Sequence, residues 1–149
     1  MRKIMAALLV LLVAVQFVPY GHRRSNPPVV SEPRWNSQQT RATFDRVCSD
    51  CHSYETRWPW YSYVAPASWF LIRHVEHGRE EFNVSRWGVG ENEGDEAAKN
   101  VRSRKMPLRS YLFAHPEARL TDAERAEFAV GLAATFGDEG EGEHEHETD

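Results

Sequence analysis

Cysteine is scarce in this chain: there are two in 149 residues, Cys48 and Cys51. They could make one cross-link at most, so the fold cannot be a framework of disulfides. Methionine is nearly as rare, and outside the N-terminal segment only Met106 remains. Positive charge is not in excess. The formal net charge is −4, and seven of the acids lie in residues 138–149, which hold no Lys or Arg. The eighteen basic residues set against the other fifteen acids leave only +3, which excludes a basic nucleic-acid surface. The N-terminal apolar run, Ile4–Val18 broken by Gln16, is short for a membrane span. Its roughly 15 residues rise about 22 Å as a helix, against about 30 Å of bilayer core. It has no small-x-small cleavage site at its end, where the residues are Phe17-Val18-Pro19-Tyr20. No βαβ pattern surrounds the cysteines, which removes the usual context of a dithiol redox motif.

What is present is the stretch Cys48-Ser49-Asp50-Cys51-His52. It reads C-x-x-C-H, the attachment signature of a c-type haem. Two thiols one helical turn apart can form thioethers to the two vinyl groups of one porphyrin. The next residue, His52, is then held under the ring as the proximal iron ligand. A zinc site completed by His74 and His77 is the competing reading. Their H-x-x-H spacing is tighter than a zinc finger's, however, and His52 would be left over. A thiol redox pair gives no reason for His52 at all.

Along the chain, residues 1–24 form a signal or anchor segment, with an uncleaved anchor preferred to a removed signal. The expectation is therefore an N-terminal hydrophobic helix in the inner membrane and a periplasmic domain, because c-type attachment is performed on that membrane's outer face. The alternative is secretion to the periplasm after cleavage. Residues 25–36 are a Pro-rich extended tether, with Trp35 on the domain edge. The haem-binding domain spans 37–137 and is all-α. Asn36 or Ser37 caps a helix running into the C-x-x-C-H turn, with Phe44, Val47 and Cys51 on one face. Pro66 opens a second helix from about Ala67 to Gly78, with Trp69, Ile72 and Val75 inward. Asp95 opens a short one that ends before Pro107. Thr121 and Glu124 form a capping box for a last helix bearing Ala126, Ala129, Val130, Ala133 and Phe136 on one side, ended by Gly137. Residues 138–149, with His144 and His146 among glutamates, form an acidic tail expected to be disordered.

The iron needs a second axial ligand or an open face. Met106, just before Pro107, is the first candidate, since a thioether favours Fe(II) and raises the potential. His115, His74 and His77 stand behind it. A backbone carbonyl near Pro66 is expected to take the other ring N–H of His52. Arg57, Trp58, Trp60 and Tyr61 are candidates for propionate contacts or for a packed pocket wall.

With these residues assembled, the chain resembles class I cytochromes c in outline. More closely, it resembles the bacterial haem-binding domain proteins, small cytochrome-c-like proteins behind an N-terminal hydrophobic segment. The matching words are Gln16–Gly21, Asn26-Pro27-Pro28, Cys48–His52, Thr56–Ser62, Ala65-Pro66, Gly78-Arg79, Met106-Pro107 and Tyr111–Leu120. Tyr54 and Leu108 depart from the pattern without removing a haem ligand. The resemblance implies one covalent haem c on Cys48 and Cys51 with His52 on iron, and it implies no substrate. The expected role is a mono-haem electron carrier rather than an enzyme, serving periplasmic or membrane redox proteins and no nucleic acid. The alternative is a haem-based gas or redox sensor, or a peroxidase-like enzyme, with a displaceable distal ligand.

Overall fold

Ser37 is extended, and its hydroxyl accepts the amide N–H of Thr40, so the helix that leads into Cys48 begins on a side-chain cap. The computed structural model describes residues 1–20, 24–90 and 92–138. Most of the acidic tail therefore lies outside the described residues, His144 and His146 included. The helices are α1 (Arg2–Ala14), α2 (Gln38–Val47), α3 (Ser49–His52), α4 (Ala67–Glu81), α5 (Glu96–Arg102), α6 (Arg109–Ala114) and α7 (Asp122–Phe136). Among the described residues the only extended pairing is an isolated bridge between Ser31 and Arg86. The fold is all-α.

Helix α2 stops at Val47, and Cys48 (φ −124°) turns the chain into the single turn of α3 rather than continuing one helix. Helix α4 runs three residues beyond Gly78, to Glu81. Its inward side is Ile72 and Val75, while Trp69 is half-buried. Helix α7 opens on the complete Thr121–Glu124 capping box. Its buried face is Phe128, Ala129, Gly131 and Leu132; Val130 is 65% exposed, so the apolar stripe is rotated from the expected one. Helix α6, which no sequence pattern marks, fills the span after Pro107.

The core joins Phe44 and Val47 of α2, Phe82 and Val84 after α4, Ala97, Ala98 and Val101 of α5, and Phe128, Ala129 and Leu132 of α7. Trp35 closes it from outside, with its ring 5.0 Å from Phe44 and 5.6 Å from Phe136. Helices α2 and α7 approach so closely that a Cβ on Gly131 would meet the Thr40 hydroxyl. Residues 25–33 lie along the domain. Val30 donates to the Ser85 carbonyl at 2.8 Å, Ser31 Oγ donates to that of Trp87 at 2.6 Å, and Pro33 is buried.

The N-terminal anchor is corrected. Helix α1 has 13 residues, about 20 Å of rise, and none of its side chains is buried. The run is broken where Gln16 turns back. Its amide donates to the carbonyls of Leu12 (2.9 Å) and Ala65 (3.0 Å), and its oxygen accepts the N–H of Ala65 at 3.0 Å. Among the described residues no helix is long and apolar enough to cross a membrane. The hydrophobic anchor helix and the inner-membrane location drawn from it are therefore not supported.

Candidate functional site

The C-x-x-C-H turn is α3 with its preceding residue, and it rests on α4. Gly78 allows the contact: a Cβ there would stand 2.8 Å from the Cys51 carbonyl oxygen and 3.1 Å from Cys51 Cβ. Cys48 and Cys51 are free thiols and half-buried. Burial pushes both thiols up, Cys51 to about 11, with the Asp50 carboxylate adding to it, so both stay protonated at neutral pH. A dithiol redox site needs the opposite shift.

His52 is 8% exposed. Its ring stacks on Phe82 at 4.1 Å, and Nδ1 lies 3.2 Å from the Phe82 carbonyl oxygen. A carbonyl accepts only, so Nδ1 carries the proton and Nε2 keeps its lone pair for a metal. Burial holds the imidazole below its ordinary pKa, in the neutral form that ligates iron. The orienting carbonyl is thus that of Phe82, at the end of α4, and not one near Pro66. Thirty residues separate it from His52 with no spacing rule to reveal it.

One apolar cleft of about 190 Å³ is lined by Cys48, Cys51, His52 and Met106, with Val47, Leu108 and Leu132 among its walls. A neighbouring hollow of about 540 Å³ shares Asp50, Cys51, His74, Leu108 and Tyr111 with it, and the two form one groove. Met106 is half-buried against the core, and its amide donates to the Asn100 carbonyl at 3.0 Å. The structure therefore brings the two thiols, the imidazole and the thioether to one cleft.

The other candidates divide. His74 borders both parts of the groove, with Nδ1 2.7 Å from the Phe70 carbonyl oxygen. His77 is exposed and stands 3.5 Å from Glu81. His115 is tied at both nitrogens, to the Tyr61 hydroxyl (3.1 Å) and to Glu117 (3.1 Å). Arg57 and Tyr61 line the wider hollow. Trp58 and Trp60 are not among the lining residues of either part. Trp58 donates its indole N–H to Asn26 at 3.1 Å, and Trp60 is 78% exposed. Among the described residues no group of three or more His, Cys, Asp or Glu is arranged to hold a metal ion, which leaves the zinc reading without a site.

Three residues that sequence reasoning passed over, Arg79, Asp50 and Tyr111, hold the turn in place. Arg79 donates to Ser53 O (2.8 Å), Ser25 O (3.1 Å), Asn26 Oδ1 (3.2 Å) and Thr56 Oγ1 (2.9 Å). Asp50, 6% exposed, accepts from the Arg57 amide (2.9 Å) and guanidinium (3.2 and 3.1 Å), and from the Tyr111 hydroxyl (2.8 Å). The signal was there in part: Asn26, Thr56, Trp58 and Arg79 come from three separate words of the matching pattern, and here they meet.

Two protonated thiols on one turn, a neutral imidazole and apolar walls suit a flat metal-bearing macrocycle. An all-α domain built around such a groove is a small helical haem-binding protein. The chain belongs to the Haem-binding domain family, whose model matches residues 10–134, and haem is its cofactor. No curated protein and no solved structure matches the chain.

Proposed function

We propose that the protein is a mono-haem c-type electron carrier with His52 and Met106 as axial ligands. The observation that carries the reading is the convergence of Cys48, Cys51, His52 and Met106 on one apolar cleft. Cys48 and Cys51 would hold the porphyrin through thioethers, and burial, which raises both thiol pKa values, keeps the sulfurs in the thiol form before attachment. His52 offers Nε2 while the Phe82 carbonyl fixes its tautomer. Met106 would offer its thioether sulfur to the iron from the same cleft, among apolar walls. When bound, haem would supply a one-electron Fe(III)/Fe(II) couple, and His52 and Met106, held by the fold, would let the site reorganise little between the two states. Redox proteins dock weakly on the open side of the groove.

The test is the visible spectrum of the full chain made with c-type maturation, oxidised and reduced, with and without carbon monoxide, beside Met106→Ala. The expected result is covalent haem, a low-spin spectrum with a thioether-to-iron band that the variant lacks, and no carbon monoxide adduct in the wild type. A high-spin, carbon monoxide-binding wild type overturns the carrier and favours a sensor or peroxidase-like enzyme. Haem released by acid extraction overturns covalent attachment.

A further inference from the structure

Asp50 is a buried carboxylate in the middle of the haem-attachment turn, two residues before His52, and it borders both parts of the groove. Its four hydrogen bonds explain why it tolerates burial. The Arg57 guanidinium and the Tyr111 hydroxyl both use Oδ2, an acceptor that asparagine lacks, so the bonding holds a carboxylate and with it a negative charge. A carboxylate there puts a fixed negative charge beside the iron site in a water-poor environment, where charges act over longer range than in solvent. Arg57 supplies the compensating cation, but its side chain is 60% exposed, so water weakens it while the carboxylate stays enclosed. Tyr111 donates the remaining bond at 2.8 Å from inside the groove and spreads the charge further.

Resting on the haem reading above, we propose that Asp50, with Arg57 and Tyr111, is a positioning group that sets the reduction potential. The buried anion stabilises Fe(III) and lowers the potential, while Arg57 and Tyr111 limit how far it does so. The three side chains then have opposite effects. Removing the anion raises the potential; removing either donor exposes more of the anion to the iron and lowers it.

The experiment is spectroelectrochemical titration of the full haem-loaded chain and of Asp50→Asn, Arg57→Gln and Tyr111→Phe. Haem-to-protein ratio and melting temperature are measured on each. The expected result is an upward shift in the midpoint for Asp50→Asn and downward shifts for the other two. A purely structural role would lower the melting temperature of all three without splitting the sign of the potential shift. Unchanged midpoints, or shifts of one sign throughout, overturn the proposal. If Asp50→Asn fails to load haem, Arg57→Gln and Tyr111→Phe decide it, because any upward or null shift in either contradicts the anion's role. Failure of the axial-ligand reading would show separately, as a wild-type spectrum that is not low-spin.

Discussion

Gly78 stands behind Cys51 with no room for a methyl group, since a Cβ would meet the backbone carbonyl of Cys51 at 2.8 Å. Backbone yields less readily than the end of a flexible side chain. Gly78→Ala should therefore destabilise the fold by roughly 1–3 kcal/mol, despite alanine's better helix propensity. The check is urea denaturation of the haem-loaded chain, together with its haem-to-protein ratio; a stabilised variant would mean that α4 and the haem turn can part without loss. Arg79 makes the second prediction. Its guanidinium serves four acceptors from two other segments, so Arg79→Met should cost on the order of 1–3 kcal/mol, and Arg79→Lys should recover only part of it. At this scale legibility depended on contiguity. Cys48, Cys51 and His52 stand out in the sequence because they form one contiguous motif. The Asp50–Tyr111 bond joins positions 61 apart, and the Phe82 carbonyl is backbone that any residue would present.

Among the elements, α7 carries the clearest pH dependence. Glu124 reaches back to the Thr121 N–H at 2.8 Å, and these bonds, with Arg46 nearby, hold its carboxyl below the ordinary 4.5. A depressed folded value means the contribution is present above pH 4.5 and is lost as pH falls through the folded value. Thr121→Ala should cost about 1 kcal/mol at pH 7, and Glu124→Gln should flatten the acid side of the stability profile. Denaturant midpoints at about pH 7 and about pH 3 measure both. The α2–α7 crossing gives a further prediction. Gly131→Ala should destabilise because its Cβ meets the Thr40 side chain, and adding Thr40→Ala should return part of the loss. A double-mutant coupling of at least about 0.5 kcal/mol is expected. Helices with several apolar turns, α4 behind Pro66 and α7 behind its capping box, were readable from sequence. Helix α6 was not: Arg109–Ala114 is too short to show a period. The rotated face of α7 was missed because alanines carry little directional signal, and only packing selects Phe128 over Val130.

For the whole molecule, α1 buries no side chain, and the described contacts between the N-terminal segment and the rest begin at Gln16 and Tyr20. A chain beginning at Val15 should keep its melting temperature, with any stability change within about 0.5 kcal/mol. A larger loss in thermal denaturation would show that α1 supports the domain. The apolar run and its break at Gln16 were legible; the partner that fixes the break was not, because Ala65 lies 49 residues away. The stretch 25–33 reads as a linker by composition, yet its backbone bonds to residues 85 and 87 lay it against the domain.

The pairing of His52 with Phe82 also bears on how the protein is made. Synthesis runs from the N-terminus, so the attachment turn leaves the ribosome 30 residues before the carbonyl that orients its imidazole. Gly78, which seats α4 on the turn, emerges only shortly before it. Until α4 docks, the turn that carries both thiols has nothing packed behind Cys51. The imidazole acquires its fixed tautomer only when α4 is complete and docks, so the order of synthesis separates the appearance of the two thiols from the orientation of His52.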